Sequence, residues 1–330
     1  MEIKSKQAYT LDDIARELGV SKTTVSRVIS GKGRISEQTR LRVLDFINSQ
    51  GFRPNAVAKS LAQSRTHNLA LVLPDGSALD YSFFQECVPG ICAVASQHDC
   101  DVLLCMDGGQ LERVLANRKV DGVILARSEA DSPAVEALKQ AGLPFVAVGE
   151  PSDPSVTFVD NDNRGACRAL TERLLAAGLS RVALLGGEES HCVTRSRRDG
   201  FLDAHLAADR PWEKDLIFTD LTDGASINAA VDAALEKGAD CIVCMDDFIC
   251  SLALSRLWER GVSVPGDVRV ACFYDSTLLE HTVPAITSLR FNAAQLGKTA
   301  CQTLLEMIRD GEGHSHILPD YCLMIRQSAL

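Results

Sequence analysis

After residue 67 the sequence alternates short β-branched apolar runs with longer amphipathic stretches, and this alternation restricts the fold more than any other feature. The amphipathic stretches predict helices, notably Arg164–Ala177, Ala225–Lys237 and Phe248–Arg260. The apolar runs predict strands at Leu69–Leu73, Val102–Met106, Gly122–Leu125, Phe145–Val148, Val182–Leu185, Cys241–Met245 and Val268–Phe273. We therefore predict an α/β body with parallel sheets and helices on both faces. Its ligand should lie beyond the carboxyl ends of the strands.

The first 67 residues instead have the periodicity of three short helices. Thr10 and Asp13 have the spacing of a capping box, and Ser21 and Ser36 can cap two further helices. Leu11, Ile14, Ala15 and Leu18 form one apolar face of the first helix, and the second is expected to bury Val25, Val28 and Ile29. The third carries the apolar residues Leu41, Val43, Leu44 and Ile47. Gly19 permits a tight turn between the first two helices. Two short helices joined by such a turn form a helix-turn-helix arrangement, so the head is predicted to be all-α.

The second predicted helix presents an exposed polar face, made by Lys22, Thr23, Ser26 and Arg27. Residues near the N-terminus of such a helix reach base edges when it lies in the major groove. Arginine can pair with guanine O6 and N7, and threonine can hydrogen-bond or contact a thymine methyl. Ser21, Thr24 and nearby backbone N–H groups suit phosphate contacts. On these residues alone, a helical hairpin used for protein contact is the alternative.

The net charge of −10 is unevenly divided along the chain. Residues 1–67 carry 12 Lys and Arg against 6 Asp and Glu, a net charge of +6. The remainder carries 22 against 38, a net charge of −16. A basic head on an acidic body indicates a nucleic-acid contact confined to one end. A flexible charged tail is the alternative, and the helical periodicity of the head argues against it.

Cysteine usage indicates a reducing compartment. The chain has 12 cysteines, but most lie singly in apolar runs, where a thiol behaves as a small hydrophobe. Cys241 and Cys244 form a C-x-x-C motif that we interpret as part of a buried strand rather than a redox or metal site. The N-terminus lacks an apolar signal core, and no apolar run reaches the ~18–20 residues that span a bilayer. We expect a cytoplasmic protein with no membrane partner.

The body carries no sequence motif for catalysis or cofactor binding. It lacks the glycine-rich phosphate loops and the G-x-S-x-G nucleophile motif. His314 and His316 lie in a polar stretch that we interpret as a solvated loop. Asp246 and Asp247 follow a strand, where a carboxylate pair can hold a metal, cap the next helix or accept hydrogen bonds from a polar ligand. No catalytic residue, cofactor or metal site is predicted.

The head resembles that of the lac repressor (LacI/GalR) family over its whole length. The shared sequences are GVSKTTVSRV, the third-helix segment SEQTR and the hinge RPNAVAKSL. By this resemblance, Lys22 and Thr23 select the operator and Arg27 reads a base. Leu61 is implied to wedge into a minor-groove base step and kink the DNA. The predicted DNA-binding residues are Thr10, Ser21, Lys22, Thr23, Thr24, Ser26, Arg27, Ser36, Asn55, Val57, Ala58 and Leu61.

The resemblance extends, less tightly, through the body. Matching landmarks include Asp162-Asn163 at the start of a helix, Arg197-x-x-Gly200-Phe201 and the closing RQS. The implied fold is that of periplasmic sugar-binding proteins, with two lobes, a ligand cleft and three crossovers near residues 160–162, 288–291 and 318–320. The implied divisions are a head at 1–53, a hinge and linker at 54–67, and a body at 68–330. The N-lobe takes residues 68–161 and 291–319, and the C-lobe takes 162–290 and 320–330.

The same resemblance implies an effector site between the lobes. Arg197 matches the family's effector arginine, with a structural salt bridge as the alternative. The predicted effector residues are Phe83, Phe84, Asn161, Arg197, Asp246, Tyr274, Asp275 and Phe291. Asn161 and Phe291 can equally serve hinge packing. Tyr274 stands where the family often has a sugar-binding Asp, and Gly149-Glu150 replaces an Asp-Arg pair. The pocket is therefore expected to tolerate an anionic effector such as a sugar phosphate or sugar acid, unless Asp246, Asp275 and Glu150 restore the acceptors.

These features predict a homodimeric regulator that binds a pseudo-palindromic operator. The resemblance implies a repressor, because repression is the commoner output of the family. A sugar or sugar derivative in the cleft is expected to change operator affinity through the hinge, by release or by recruitment. No leucine heptads follow RQSAL, so no assembly beyond a dimer is expected. Two other classes stay open: a sugar-processing enzyme with a fused DNA-binding head, and a sugar-binding module that has lost DNA binding.

Overall fold

The computed structural model describes residues 9–30, 33–50, 52, 65–74, 81–106 and 108–329. The chain divides into two compact units, Met1–Thr66 and His67–Leu330. Four of the predicted DNA-binding residues, Asn55, Val57, Ala58 and Leu61, lie outside the described residues.

The head consists of helices α1 (Leu11–Leu18), α2 (Lys22–Ser30) and α3 (Glu37–Gln50). The predicted capping box is present, because the Thr10 side chain accepts from the Asp13 amide and the Asp13 carboxylate accepts from the Thr10 amide. Gly19 ends α1 with a φ of 63°, a left-handed conformation that glycine adopts without strain. The small apolar core contains Ile14, Ala15, Val25, Val28 and Val43.

The structure buries only part of the apolar residues that the sequence places on α3. Leu41 is 53% exposed and Leu44 is 38% exposed, whereas Val43 is fully buried. Phe46 and Ile47 pack against the same core as Val43. Residues 43, 46 and 47 share one face of the helix, and residues 41 and 44 share another. The three-helix core therefore covers only one of the two apolar faces of α3.

The first sheet of the body defines the N-lobe. Its strands are β1 (Asn68–Val72), β2 (Asp101–Cys105), β3 (Gly122–Leu125), β4 (Phe145–Val148), β5 (Phe158–Asn161) and β11 (His316–Leu318). All six are parallel, in the order β2-β1-β3-β4-β5-β11. The helices of this lobe are α4 (Tyr81–Gln97), α5 (Gly108–Ala116), α6 (Pro133–Ala141) and α12 (Ala293–Asp310). Ile124 packs with α4 and α12, and Val123 packs with α5 and α6 on the opposite face.

The second sheet defines the C-lobe and repeats the same strand order. Its strands are β6 (Val182–Leu185), β7 (Ile217–Phe218), β8 (Cys241–Cys244), β9 (Arg269–Cys272), β10 (Thr287–Phe291) and β12 (Tyr321–Met324). Their order is β7-β6-β8-β9-β10-β12, and β12 alone is antiparallel to its neighbour. The helices are α7 (Asn163–Ala176), α8 (Cys192–Ala207), α9 (Gly224–Glu236), α10 (Asp247–Glu259) and α11 (Thr277–Glu280), with a 3-10 turn at Lys214–Leu216.

The predicted fold class is confirmed, and several predicted strands have the observed bounds, including β3, β4 and β6. Cys241 and Cys244 are buried in β8, and no disulfide joins the cysteines of the described chain. His316 begins the exposed edge strand β11, so the interpretation of both histidines as a loop is wrong for this residue. Within the described ranges, no helix is long and apolar enough to cross a membrane.

The chain passes between the two sheets three times. It runs from β5 into α7 through Asp162, from β10 into α12 through Asn292, and from β11 to β12 across residues 319–320. Asp162 and Asn292 cap the helices that follow, accepting from the Gly165 and Gln295 amides at 2.8 and 3.0 Å. The first two crossovers therefore share one construction, a strand end followed by a helix cap.

Close packing of α7 on α8 fixes the helix that carries Arg197. A Cβ atom at Gly200 would lie 2.3 Å from the carbonyl oxygen of Arg164 on α7, so only glycine fits at this point. Arg197 lies three residues before Gly200 on α8. The backbone contact between the two helices therefore sets the position from which Arg197 reaches toward the strand ends.

Candidate functional site

A cavity lies where strand ends from both lobes of the body meet. Its lining includes segments that follow β3, β4, β5, β8 and β9, together with parts of α4 and α8. The lining residues are Phe83, Phe84, Ala126, Arg127, Ser128, Val148, Gly149, Asp160, Asn161, Asn163, Val193, Arg197, Asp246, Asp247 and Tyr274. The empty space is about 640 Å³, including the open mouth, which lies in the range of small-molecule sites.

Arg197 is held in this cavity by neutral partners. Its Nη1 donates to the carbonyl oxygen of Met245 at 2.6 Å, and its Nε donates to Asn163 Oδ1 at 3.3 Å. In the part of the chain that the structure describes, no carboxylate forms an ion pair with Arg197. The alternative of a structural salt bridge is therefore not observed. A half-buried guanidinium of this kind can receive the acceptor groups of a ligand.

Asp160 lies at the end of β5 and shares Asn163 with Arg197. Its carboxylate accepts from the Glu150 and Asn161 amides at 2.9 and 2.7 Å and from Asn163 Nδ2 at 2.9 Å. Burial raises the pKa of Asp160 to about 6, although these backbone hydrogen bonds and the charge of Arg197 oppose the rise. Asn163 thus links the acidic end of β5 in the N-lobe to the arginine on α8 in the C-lobe.

Asp246 caps α10, which is one of the three roles that the sequence allows for the Asp246-Asp247 pair. Its Oδ1 accepts from the Ile249 amide at 2.8 Å. Burial raises the pKa of Asp246 to about 6, against the Ile249 hydrogen bond and the charge of Arg197. Asp247, also buried, lines the same cavity. In the described ranges, no group of three or more His, Cys, Asp or Glu side chains could hold a metal ion.

An aromatic wall closes one side of the cavity. Phe83 and Phe84 on α4 are in edge-to-face contact, with ring centroids 5.2 Å apart. Tyr274 in the C-lobe meets Phe83 edge-to-face at 6.2 Å, so the wall spans both lobes. Burial raises the pKa of Tyr274 far above its usual value, and its phenol therefore stays protonated. Flat apolar surfaces of this kind suit the ring faces of a ligand.

Asn161 contributes an unsatisfied acceptor. This side chain is 8% exposed and lines the cavity, and its buried Oδ1 has no hydrogen-bond partner in the described structure. A buried polar atom without a partner costs about 1–3 kcal/mol. A ligand hydroxyl or amine that donates to this oxygen would remove that cost.

The two lobes also touch at a seam away from the crossovers. There the Ala130 amide donates to the Ser190 carbonyl at 2.9 Å, and the Cys192 amide donates to the Ser128 carbonyl at 3.1 Å. Arg127 Nη1 lies 3.3 Å from His191 Nε2. Burial and the charge of Arg127 lower the pKa of His191 to about 4, so the imidazole is neutral at pH 7 and can accept from the guanidinium. The seam positions Arg127 and Ser128 on the cavity.

Two of the predicted effector residues do not reach the cavity. The Asp275 side chain is fully buried, where it accepts from Arg326, Arg290 and Ser288. These three partners occupy both carboxylate oxygens, so Asp275 belongs to a structural network. Phe291 packs in the C-lobe core and contacts the Tyr321 ring at 6.4 Å. Because Phe291 ends β10 next to the crossover at Asn292, it serves hinge packing, which is the alternative that the sequence left open.

The structure brings the other six predicted effector residues together and adds several that sequence reasoning missed. The polar lining residues in this group are Arg127, Ser128, Asp160 and Asn163. Asp247, which the sequence already indicates as part of a strand-end carboxylate pair, also lines the cavity. Arg127 and Ser128 follow the predicted strand at 122–125, so the strand-end rule could have found them. Asp160 could not be found in this way, because β5 itself was missed.

The predicted DNA-reading side chains lie on the exposed face of α2. Lys22, Thr23, Ser26 and Arg27 are all exposed. Ser21 Oγ caps the helix by accepting from the Thr24 amide at 3.1 Å and lies 2.9 Å from Thr24 Oγ1.

Two further predicted DNA contacts have capping roles in the head. Thr10 and Ser36 cap α1 and α3, accepting from the amides of Asp13 and Thr39 at 3.2 and 3.3 Å. Their contact with DNA stays a prediction, compatible with the exposure of both residues.

Two protein families match this chain. Residues 10–55 match the bacterial regulatory proteins of the lacI family. Residues 66–324 match the periplasmic binding proteins and sugar binding domain of the LacI family.

The similar proteins are regulators of transcription and not enzymes. The HTH-type transcriptional regulator CelR of Thermobifida fusca is 31% identical over 99% of this chain and 100% of its own length. The HTH-type transcriptional repressor PurR of Vibrio parahaemolyticus is 30% identical over 93% of this chain and 94% of its own length.

Solved structures show the same fold. A CelR–cellobiose complex is 29% identical with a TM-score of 0.73, over 97% of this chain and 99% of that chain. The lac repressor dimer bound to operator and the anti-inducer ONPF has a TM-score of 0.82 at 22% identity, over 98% of this chain and 100% of that chain. The latter likeness is one of fold.

Proposed function

The chain belongs to the LacI family of bacterial regulatory proteins, and we propose that it is a sequence-specific repressor whose operator affinity is set by a small effector in the body cavity. One observation carries the effector role. Arg197 faces the cavity with neutral partners and no ion-pair partner among the described residues. A guanidinium group that faces a strand-end cavity without an ion-pair partner is expected in a ligand site. Such a side chain contributes little to the packing of the fold.

We propose a neutral sugar as the effector. The sequence alone favoured tolerance of an anion, but the cavity contains three carboxyl groups, those of Asp160, Asp246 and Asp247, against the guanidinium groups of Arg127 and Arg197. A phosphate would face this acidic excess at short range. Sugar hydroxyls donate to carboxylates and accept from guanidinium groups, and sugar ring faces suit an aromatic wall. The CelR relative, with cellobiose bound to it, supports the same class.

Calorimetry with neutral mono- and disaccharides and their phosphates tests this choice. Arg197→Ala is expected to abolish binding of the active sugar. Arg198→Ala is the matched control, because Arg198 lies on the same helix outside the cavity lining and pairs with Glu189 and Asp199 of its own lobe. Tight binding of a sugar phosphate alone would overturn the neutral class and leave the site intact.

A homodimer is proposed as the DNA-binding form, with two heads on a pseudo-palindromic operator. The contact surface of this dimer is to be sought among the exposed apolar side chains of the body, such as Leu278 at 55% and Val283 at 98% exposure. In this proposal, effector binding changes the angle between the lobes and therefore the separation of the two hinge segments of the dimer. A DNA-binding role also places the protein with the chromosome, in the cytoplasm.

Operator binding is tested with the base-reading face of α2. An operator is selected from random duplex DNA with the full chain, and affinities are measured at fixed salt. Arg27→Ala is expected to weaken operator binding by ~1–3 kcal/mol and to relax the preference at one base pair per half-site. Arg16→Ala on α1 controls for the loss of one exposed positive charge in the head. Unchanged affinity and preference in Arg27→Ala would contradict the proposed docking of α2.

A further inference from the structure

An acidic residue lies beside the DNA-reading end of α2. Asp12 on α1 accepts from Lys22, the first residue of α2, with Nζ 2.7 Å from Oδ2. The Lys22 side chain is 59% exposed and the Asp12 side chain is 58% exposed. Ion pairs this exposed contribute between zero and about 1 kcal/mol to stability. The capping box of α1 uses Asp13, not Asp12. The pair therefore adds little to the folding of the head.

The position of Asp12 also opposes non-specific DNA binding. Affinity for the phosphate backbone comes from positive charge, and a carboxylate on the reading side of a basic head reduces it. The Asp12 carboxylate therefore lowers non-specific affinity while adding little to stability, and its position favours a role in choosing among sequences. A carboxylate accepts from the N4 amino group of cytosine, and an ammonium donates to O6 and N7 of guanine.

The spacing of the pair matches one base pair. In the major groove, a G·C pair presents guanine O6, an acceptor, beside the cytosine N4 amino group, a donor. These two atoms are hydrogen-bonded to each other, at about 2.9 Å. Lys22 Nζ and Asp12 Oδ2 form a donor and an acceptor 2.7 Å apart. In the reversed C·G pair, the Lys22 ammonium would face the cytosine amino group, also a donor, and the Asp12 carboxylate would face guanine O6, also an acceptor. A T·A pair offers no N7 beside its O4 acceptor, and its methyl group crowds the ammonium.

We propose that Asp12 is a specificity-determining residue that orients Lys22 and, with it, selects one G·C base pair in a fixed orientation, guanine toward Lys22 and cytosine toward Asp12. This inference rests on the proposed function of the head as a sequence-specific operator reader. It adds a residue on α1 to the base-reading set, which the sequence alone places on α2.

The test uses the full chain and an operator selected with it from random duplex DNA. Affinities are measured on all single base-pair variants of one half-site. Lys22→Ala identifies the base pair that residue 22 reads. Asp12→Asn is expected to reduce the preference for G·C over C·G at that same base pair by about 5- to 10-fold, the low end for one lost base contact. In a Lys22→Ala background, Asp12→Asn should cause a smaller change at that base pair, because only the contact of Asp12 itself with cytosine is left to lose.

Glu17→Gln is the matched control, because Glu17 is an exposed acidic residue on the same helix as Asp12. It removes the same charge, so it reports how much affinity rises when the head becomes more positive. Circular dichroism melting checks that all variants keep the fold of the wild-type head. A base preference that changes in Asp12→Asn and not in Glu17→Gln supports the inference.

Two outcomes would overturn it and have different meanings. If Asp12→Asn and Glu17→Gln raise affinity equally and keep the wild-type base preference, Asp12 is only a surface charge and operator reading by the head is unaffected. If the wild-type chain selects no DNA sequence at all, the proposed function fails together with the inference.

Discussion

Replacing Asp275 with Asn is expected to destabilise the body and to leave effector binding intact. The carboxylate is fully buried and accepts from Arg326 at 2.7 and 3.0 Å and from Ser288 at 2.6 Å. Arg290 donates to it from the more exposed side, with its Nε at 2.8 Å. An amide keeps one acceptor but turns an N–H group toward arginine N–H groups. The substitution therefore breaks a buried charge network without touching the cavity lining.

The magnitude follows from the exposure of the two arginines. Removing one partner of a buried ion pair costs about 3–5 kcal/mol. Arg290 is 44% exposed, so water screens its pairing and its share is small. Arg326 is 12% exposed and loses both contacts to the carboxylate, so we expect the lower end, about 3 kcal/mol. At roughly 2–4 °C per kcal/mol for a protein of this size, Tm falls by roughly 6–12 °C.

The pH dependence of the effect has a defined sign. Burial alone raises the pKa of Asp275, but the hydrogen bonds from Arg326 and Ser288 outweigh it and hold the pKa below its usual value. A carboxyl group with a lowered pKa in the folded state stabilises above its unfolded pKa of about 4. This stabilisation is lost as the pH falls through the folded pKa. The Tm difference between wild type and Asp275→Asn should be largest near neutral pH and shrink below about pH 4.

Thermal denaturation and calorimetric titration of the same samples separate the two possible roles of Asp275. Asp203→Asn is the control, because it breaks an Arg164 pair in which the arginine is 58% exposed. Its cost should stay below about 1 kcal/mol. An unchanged Tm together with lost effector binding in Asp275→Asn would refute the structural network and restore Asp275 as an effector ligand.

Two further predictions concern helix packing and the acidity of the cavity. Gly200→Ala places a Cβ atom 2.3 Å from the Arg164 carbonyl oxygen, so Tm should fall by the equivalent of about 1–3 kcal/mol. Gly187→Ala, whose nearest contact is 4.0 Å away, should cost little, and equal melting temperatures for the two variants would contradict the close approach of α7 to α8. The pKa of about 6 for Asp160 and Asp246 predicts that sugar affinity falls as pH is lowered from 7.5 to 5, because protonated carboxyl groups lose acceptors. Calorimetry across this range measures how sugar affinity depends on pH, and Asp160→Asn should weaken that dependence. A pH-independent affinity would show that the sugar does not use these carboxylates.

Much of the fold could be predicted because buried parallel strands have continuous apolar runs. β6 and β8 are fully buried and were found, β6 with its observed bounds. β5 was missed because it ends in Asp160-Asn161, polar residues that serve the cavity. β10 was also missed, because it is mostly buried but begins with the polar residues Thr287 and Ser288. The edge strands β7, β11 and β12 were missed because they are short and partly exposed, with little apolar signal. Hydrophobic patterning reports burial, so it fails where a strand is polar or half-buried.

Most of the site residues that were predicted came from the family resemblance, and the strand-end rule alone points to a few more, such as Arg127 and Ser128. Arg197 was identified from its motif, and the structure places it in the cavity. Asp275 follows a strand end, as a ligand-binding residue would, but its carboxylate accepts a hydrogen bond from Arg326, 51 residues later in the chain. Such long-range pairing leaves no local pattern in the sequence. The same holds for Asn163, whose link between Asp160 and Arg197 depends on the packing of α7 against α8.

Sugar control of operator binding through Arg197 is tested most directly by measuring operator affinity with and without the active sugar, at fixed salt, in wild type and in Arg197→Ala. A coupling of 1–3 kcal/mol is typical of allosteric regulators, so the sugar is expected to change the wild-type Kd for operator by about 5- to 150-fold. The Arg197→Ala variant should bind operator with an unchanged Kd that no longer responds to the sugar. A sugar that binds the cavity by calorimetry and leaves the wild-type operator Kd unchanged would show that the cavity does not control DNA binding.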